Sequence, residues 1–169
     1  MNSKTSFWLL AGGLAALLLI GGGGYAVAEY TISQRGKQYL PTIQAAATRW
    51  NVPWQLLAAQ LEQESAYDPN AVSGAGAQGI AQFMPATAAA YGLSNPFDPI
   101  ASIDAEAHLM SDLYSQFNDW PTALAAYNWG PGNVQNAMNQ YGSSWLSNAP
   151  SETQNYVATI AGNAGIAVA

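Results

Sequence analysis

The sequence predicts an all-α fold. Prolines and glycines interrupt the chain at intervals typical of short helices, and no stretch alternates apolar and polar residues with the β-branched side chains that strands favour. Half of the 169 residues are hydrophobic and 8% are charged, against a usual value of about 25%. Such a composition excludes a disordered chain and predicts a packed core. We therefore expect one helical domain over residues 40–169, without an internal repeat.

Seven helices are expected, and residues suited to helix ends mark most of their boundaries. Pro41 and Pro53 favour the start of two consecutive helices, because proline lacks the N–H group that a first turn leaves unpaired. Gly92 ends a short helix, and the turn Gly130-Pro131-Gly132 separates two others. The predicted ranges are 41–50, 53–65, 85–91, 100–116, 121–128, 133–141 and a last helix from about residue 151 through Ile160.

Composition also excludes several classes of function. Four Lys and Arg against ten Asp and Glu give a net charge of −6, the wrong sign for binding nucleic acid through its phosphates. The chain has no cysteine, which excludes disulfides and thiolate metal sites. The single histidine, His108, has no partners for a metal centre and is expected to pack or to lie at the surface, so neither a metal nor a cofactor is predicted.

The first 28 residues form a separate apolar segment. Residues 5–28 carry no charge and would extend about 36 Å as a helix, enough to cross a hydrocarbon layer of about 30 Å. Two interpretations stay open: a transmembrane helix that anchors the protein, or a signal peptide cleaved after Ala26-Val27-Ala28. Either one places the helical domain outside the cytoplasm or facing away from it, beyond a linker at residues 29–39.

One carboxyl group has a position that suits acid catalysis. Leu57, Leu61 and Glu64 are spaced four and three residues apart, so they share one face of the second helix. Burial and the negative end of the helix dipole both disfavour an ionised Glu64. A carboxylic acid that stays protonated near neutral pH is what a general acid needs. The alternative is a solvated glutamate at a helix end. Glu62 lies on a different face and is expected at the surface.

Three further segments place polar and aromatic side chains on turns or helix ends; they are residues 79–85, 126–132 and 152–157. The first follows a glycine-rich stretch that is expected to be irregular. The second brings Tyr127 and Asn128 beside a rigid turn. The third sets Glu152 and Tyr156 four residues apart on one helical face. Each segment alone is also compatible with ordinary core packing.

Together and in this order, the four blocks resemble the soluble lytic transglycosylase family. The family pattern reads E-S, G-L-M-Q-x-M-P, A-Y-N-x-G-P-G and E-T-x-x-Y-V, and the resemblance covers about residues 40–160. Ile80-Ala81 stands where Leu-Met is usual, which affects the groove wall, and Trp129 stands where alanine is common. Neither departure touches the acid. The resemblance implies a lysozyme-like helical domain of the goose type.

The resemblance also implies an activity. Members of the family cleave the β-1,4 bond between N-acetylmuramic acid and N-acetylglucosamine in peptidoglycan, and they leave 1,6-anhydromuramyl ends. It implies Glu64 as the single acid and base, although most glycosidases need two carboxylates. The residues implied to line the groove or to support the acid are Ser65, Ser73, Gln82, Met84, Tyr127, Asn128, Glu152 and Tyr156.

Two other functions stay open at this point. A hydrolytic muramidase needs a second carboxylate, for which Asp68 and Glu152 are the candidates, although Asp68 is expected to lie past the helix end and to cap the turn. A catalytically inert structural or peptidoglycan-binding protein would keep the fold without the reaction.

The expected partners follow from the same interpretation. They are peptidoglycan glycan strands, a lipid membrane through residues 5–28, and a larger assembly that is a virion or a secretion or conjugation complex, of which the phage virion is favoured. The domain is expected to face the periplasm and cell wall from a membrane anchor or as part of a virion, or else to be secreted to the periplasm after cleavage.

Overall fold

The computed structural model describes residues 31–168 of the chain. Within that range, seven α-helices and three short 3-10 helices are joined by loops, and the only β structure is a set of isolated bridges around residues 72–83. The predicted all-α domain is confirmed. The helices are α1 Leu40–Trp50, α2 Trp54–Ser65, α3 Pro85–Ala90, α4 Pro99–Phe117, α5 Trp120–Trp129, α6 Pro131–Tyr141 and α7 Ser151–Ala164.

The helix boundaries follow the prolines and the capping residues. A proline occupies the first turn of five of the described helices, namely α1, α3, α4, α5 and α6. The side chains of Asp98 and Asp119 accept hydrogen bonds from the free backbone N–H groups at the starts of α4 and α5. Helix α7 continues to Ala164, into a tail for which the sequence predicted no structure.

Helices α2 and α5 form the centre of the domain. Residues 56–61 of α2 and residues 121–126 of α5 are buried without interruption, which is the pattern of a helix enclosed on all sides. Helix α7 packs against both of them, α1 packs against α2 and α4, and α4 packs against α5. The carboxyl-terminal ends of α2 and α5 carry Glu64 and Tyr127, so the core itself positions both side chains.

Part of the segment predicted as a linker packs onto the domain. Tyr39 is buried and its ring stacks on that of Tyr67 with centroids 6.3 Å apart. Ser33 donates a hydrogen bond of 2.7 Å to Glu62, which is half-buried. The predicted anchor or signal peptide at residues 1–28 lies outside the described residues. Among residues 31–168, no helix has the length and apolarity that a membrane span requires.

His108 contributes to the packing of α4 against α1. Its ring stacks on Trp50 with centroids 3.8 Å apart, and Tyr91 meets it edge-on. The Trp50 indole N–H donates to Asp104, which also pairs with Arg49 over 2.6 Å. His108 is therefore a packing residue at the surface, as its isolation in the sequence predicts.

Candidate functional site

Glu64 lies in the last turn of α2, one residue before the helix ends. The two residues that follow Ser65 adopt left-handed backbone conformations, with φ of 51° and 59°, and these end the helix. The Ser65 hydroxyl donates to the Ile80 carbonyl over 2.7 Å and accepts from the Asp68 N–H over 3.1 Å. Ser65 therefore holds the loop after residue 79 against the end of the helix that carries Glu64.

That loop depends on two unusual backbone positions. A Cβ atom on Gly79 would lie 1.8 Å from the Pro96 carbonyl oxygen, and its φ is +77°, so glycine is required there. Gln82 has φ 50° although it is not glycine. Its Nε2 donates to the carbonyls of Gly79 and Ala71, over 2.8 and 3.3 Å, and stabilises this conformation. Strained backbone held by several contacts is typical of functional loops.

A chain of hydrogen bonds fixes the Glu64 carboxyl group. The Tyr156 hydroxyl donates to Oε1 of Glu64 over 2.5 Å, and Nε2 of Gln60 donates to that hydroxyl over 3.2 Å. Gln60 precedes Glu64 by four residues and lies on the same face of α2. Both Gln60 and Tyr156 are buried, so the carboxyl group is held from the inside of the domain.

The surroundings of Glu64 change its acidity. Burial raises the pKa of its carboxyl group from 4.5 to about 7, and the hydrogen bond from Tyr156 opposes that increase. The sequence predicted a carboxylic acid that stays protonated near neutral pH, and the pKa agrees with it. A group with this pKa can both donate and accept a proton at neutral pH.

Tyr127 and Asn128 connect the end of α5 to the neighbouring elements. The Tyr127 hydroxyl donates to the Ala81 carbonyl over 2.7 Å, in the loop that Ser65 also holds. Burial raises the pKa of Tyr127 well above its usual value, and the charges of Glu106 and Glu64 add to that effect. Oδ1 of Asn128 accepts a hydrogen bond of 2.8 Å from a threonine of α7. Both side chains therefore brace the region around Glu64.

Glu106 is a second acid at this site, and it was not among the predicted site residues. It lies in the middle of α4 and is completely buried. Burial raises the pKa of its carboxyl group well above 4.5, and the charge of Glu64 raises it further. A signal for this position exists in the sequence, because Ile103, Met110 and Leu113 share the buried face of α4 with Glu106.

The remaining predicted groove residues lie nearer the surface. The Ser73 hydroxyl accepts a hydrogen bond of 3.0 Å from the Ala77 N–H and closes the glycine-rich turn. Met84 precedes α3, and its side chain is 45% exposed. Ser73 therefore shapes the loop, whereas Met84 offers an apolar surface to the solvent side.

Asp68 and Glu152 were the two candidates for a second carboxylate beside Glu64. Asp68 accepts a hydrogen bond of 2.9 Å from the Asn70 N–H and caps the turn after α2, as predicted. Glu152 is exposed on the first turn of α7. No hydrogen bond among the described residues links either acid to Glu64. Residues 31–168 also contain no group of three or more acids and histidines placed to hold a metal ion.

Comparison with known proteins shows a family model and several relatives that are similar to this chain. The family model described as Transglycosylase SLT domain matches residues 41–149. The transglycosylase of Enterobacteria phage PRD1 is 36% identical over 115 residues, which cover 60% of this chain and 43% of that protein. Membrane-bound lytic murein transglycosylase D of Escherichia coli K12 is 35% identical over 141 residues, covering 76% of this chain and 31% of that protein. The chain thus spans less than half of either relative.

Solved structures share the helical architecture. An inactive mutant of the lytic transglycosylase Slt from Pseudomonas aeruginosa superposes with a TM-score of 0.67 at 28% identity, over 80% of this chain and 24% of that one. The 70 kDa soluble lytic transglycosylase from Escherichia coli superposes with a TM-score of 0.69 at 24% identity, with the same coverage of both chains. The predicted lysozyme-like helical fold is confirmed.

Proposed function

The chain belongs to the transglycosylase SLT domain family, and on that premise we propose that it is a peptidoglycan lytic transglycosylase with Glu64 as its acid and base. The observation that carries the proposal is the environment of the Glu64 carboxyl group. Its carboxyl group is partly buried at a helix end, is held by Tyr156, and has a pKa raised to about 7. The printed names of the phage and bacterial relatives, which describe those proteins as transglycosylases, support the same activity.

In the first step, protonated Glu64 donates its proton to the glycosidic oxygen between N-acetylmuramic acid and N-acetylglucosamine. The bond between that oxygen and C1 of the muramyl residue breaks, and its electron pair stays with the leaving oxygen. Positive charge develops at C1 beside the carboxylate that has just formed. The Tyr156 O–H group, already directed at Oε1, stabilises this carboxylate.

In the second step, the Glu64 carboxylate takes the proton of the C6 hydroxyl of the same muramyl residue. The C6 oxygen bonds to C1, which closes a 1,6-anhydro ring and regenerates the protonated acid without consuming water. One group must release and recover a proton in each cycle. A pKa of about 7 suits both halves of that task.

The positions of the other acids support ring closure over hydrolysis. A second carboxylate would lie about 6.5–9.5 Å from the acid in an inverting hydrolase and about 5–5.5 Å in a retaining one, on the side that faces the sugar. Glu106 is completely buried, Asp68 caps its own turn, and Glu152 has no hydrogen bond to the site. None of these three acids has a hydrogen bond to Glu64 among the described residues, which favours the reaction with a single acid.

We place the bound glycan strand against the loop of residues 79–85 and the ends of α2 and α5. Met84 offers an exposed apolar side chain to the face of a sugar ring. Gln82, Tyr127 and Asn128 keep this wall rigid through their hydrogen bonds. A net charge of −6 gives no general attraction to negatively charged murein, so binding rests on these local contacts.

Mass spectrometry of digested murein, prepared in water enriched in ¹⁸O, tests the reaction. The proposal expects non-reduced products that are lighter by one water and carry no label. The matched control is a hydrolytic muramidase acting on the same murein, which introduces the label at the reducing ends. Labelled reducing ends as the primary product of this protein would identify a hydrolase.

We also propose that residues 5–28 hold the enzyme at a membrane, with the domain facing the cell wall. The support is the uncharged span in the sequence, together with bacterial relatives whose names call them membrane-bound. The phage relative supports the alternative carrier, a virion that opens the wall during entry. We propose that a larger assembly, either a virion or a secretion or conjugation complex, carries the domain to peptidoglycan.

A further inference from the structure

Glu106 occupies a position where a carboxyl group disfavours folding. The residue has no exposed surface, and among residues 31–168 neither of its carboxyl oxygens has a hydrogen-bond partner. Ile103 and Met110 lie on the same face of α4 and are also completely buried. An apolar side chain of similar shape would be tolerated there at least as well, because an unpartnered buried polar group is destabilising. A local conflict of this kind is typical of a functional position.

The groups that interact with Glu106 belong to the proposed catalytic site. Glu64 from α2, Tyr127 from α5 and Tyr156 from α7 all interact electrostatically with it. Helix α1 also packs against α4, and its Arg49 pairs with an aspartate at the surface. In the part of the chain that the structure describes, no positive group compensates a negative charge on Glu106.

The interaction between the two carboxyl groups is reciprocal. A charge on Glu64 raises the pKa of Glu106 and so favours its protonated form. By the same interaction, Glu64 ionises more readily when Glu106 is protonated than when Glu106 is ionised. The catalytic cycle passes through an ionised Glu64. A neutral Glu106 therefore favours the ionised Glu64 that the proposed cycle needs.

We propose that Glu106 is a positioning residue that stays a neutral carboxylic acid throughout the cycle and directs its O–H dipole toward the Glu64 carboxylate once that group has released its proton. The inference rests on the proposed function of Glu64. The proton of Glu106 is not transferred, and Glu106 does not touch the sugar because it is completely buried. Tyr156 and Glu106 then stabilise the same carboxylate from two different helices.

Two substitutions distinguish the effect of the Glu106 O–H dipole from the effect of side-chain packing. Glu106→Gln keeps a neutral polar group with N–H donors, whereas Glu106→Met keeps the length of the side chain without a donor. On short soluble glycan strands we expect the Gln variant to keep kcat within about threefold of the wild type. The Met variant should lose about tenfold or more in kcat, with KM little changed. Its melting temperature should equal or exceed that of the wild type, since the unpartnered polar group is gone.

The pH dependence of kcat is a second measurement, and a change in packing alone would not alter it. Loss of the dipole should raise the pKa of Glu64, so the alkaline limit of kcat should move upward in the Met variant and stay in place in the Gln variant. A ¹³C NMR titration of the Glu64 carboxyl, assigned from Glu64→Gln, measures the same change without activity. If the NMR shift occurs while the wild type forms no anhydro product, the proposed reaction fails, whereas the effect of Glu106 on the Glu64 carboxylate is upheld.

An unchanged Glu64 titration in a folded Met variant would overturn the inference. A Gln variant as impaired as the Met variant would also overturn it, because a neutral dipole would then not suffice.

Discussion

The Tyr156 hydroxyl donates a hydrogen bond of 2.5 Å to Oε1 of Glu64, and this bond joins α7 to the last turn of α2. The bond favours the ionised form of the carboxyl group, whereas burial favours the neutral form. Burial dominates, so the pKa lies at about 7. Two opposed contributions therefore set the proton affinity of Glu64, and each one can be changed by mutation.

Tyr156→Phe removes the contribution that lowers the pKa of Glu64. We expect the pKa to rise above 7 by about one unit, because a hydrogen bond to a charged group is worth about 1.5–3 kcal/mol and part of that is retained by the neutral acid. The alkaline limit of the pH–rate profile should move upward by the same amount. Tyr141→Phe, on an exposed ring of α6, is the matched control and should leave the profile in place. A profile unchanged in the Tyr156 variant would show that the bond does not tune the acid.

Glu64→Gln tests the assignment of the acid and base itself. The variant keeps the shape of the side chain and the hydrogen bond from Tyr156, but it cannot donate or accept the catalytic proton. General acid–base catalysis contributes about 10²–10⁴-fold, so release of anhydromuropeptides from purified murein should fall by at least about a hundredfold. Glu62→Gln, two residues earlier on the same helix, should keep full activity. A Glu64 variant within about threefold of the wild type, which is about 0.65 kcal/mol, would contradict the assignment.

The helices could be predicted because their boundaries depend on local chemistry. Pro41, Pro99 and Gly130 fix helix ends by their own backbone properties, whatever the rest of the chain does. The three 3-10 helices were not predicted, since each is only three residues long and carries no periodic pattern. The position of Glu64 was predictable from its apolar face, and the burial of Leu57 and Leu61 agrees with it.

The contacts of the site depend on distant parts of the chain, which a single sequence does not pair. Tyr156 was expected near the acid, but the sequence gives no sign that it touches Glu64 from 92 residues away. Glu106 lies outside the four motif blocks, whereas Glu152 lies within one of them and on an exposed turn. The same facial spacing that identified Glu64 would have identified Glu106.

The stability of the protein should depend on pH through Glu64. Its pKa is about 7 in the folded state and 4.5 without the fold, so its contribution is fully present below pH 4.5 and is lost as the pH rises through about 7. Over that interval, the free energy of unfolding of the wild type should fall relative to Glu64→Gln by about 1.4 kcal/mol per pH unit. Urea unfolding of both proteins at several pH values between 4.5 and 8 measures the difference. A constant difference across this range would mean that the fold does not raise the pKa of Glu64.

Deletion of residues 1–28 should release the domain from membranes without loss of catalysis. The four motif blocks lie beyond residue 60, and residues 32–39, which pack onto the domain, are retained. We expect the full chain to sediment with phospholipid vesicles and the shortened chain to stay in the supernatant. Both should digest soluble glycan strands at the same rate. A native chain that begins at Glu29 would instead support the signal peptide.

Gly79→Ala should destabilise the loop that carries the groove wall. The new Cβ would lie 1.8 Å from the backbone oxygen of Pro96, and φ of +77° is unfavourable for alanine in any case. Backbone atoms cannot yield as a flexible side chain can, so we expect a loss of at least about 2 kcal/mol in the free energy of unfolding, together with lower activity. Gly74→Ala, in the same region, is the matched control, because its Cβ meets nothing within 4 Å and its φ is not positive. Equal stability of the two variants in urea would show that the approach of Gly79 to Pro96 does not constrain the loop.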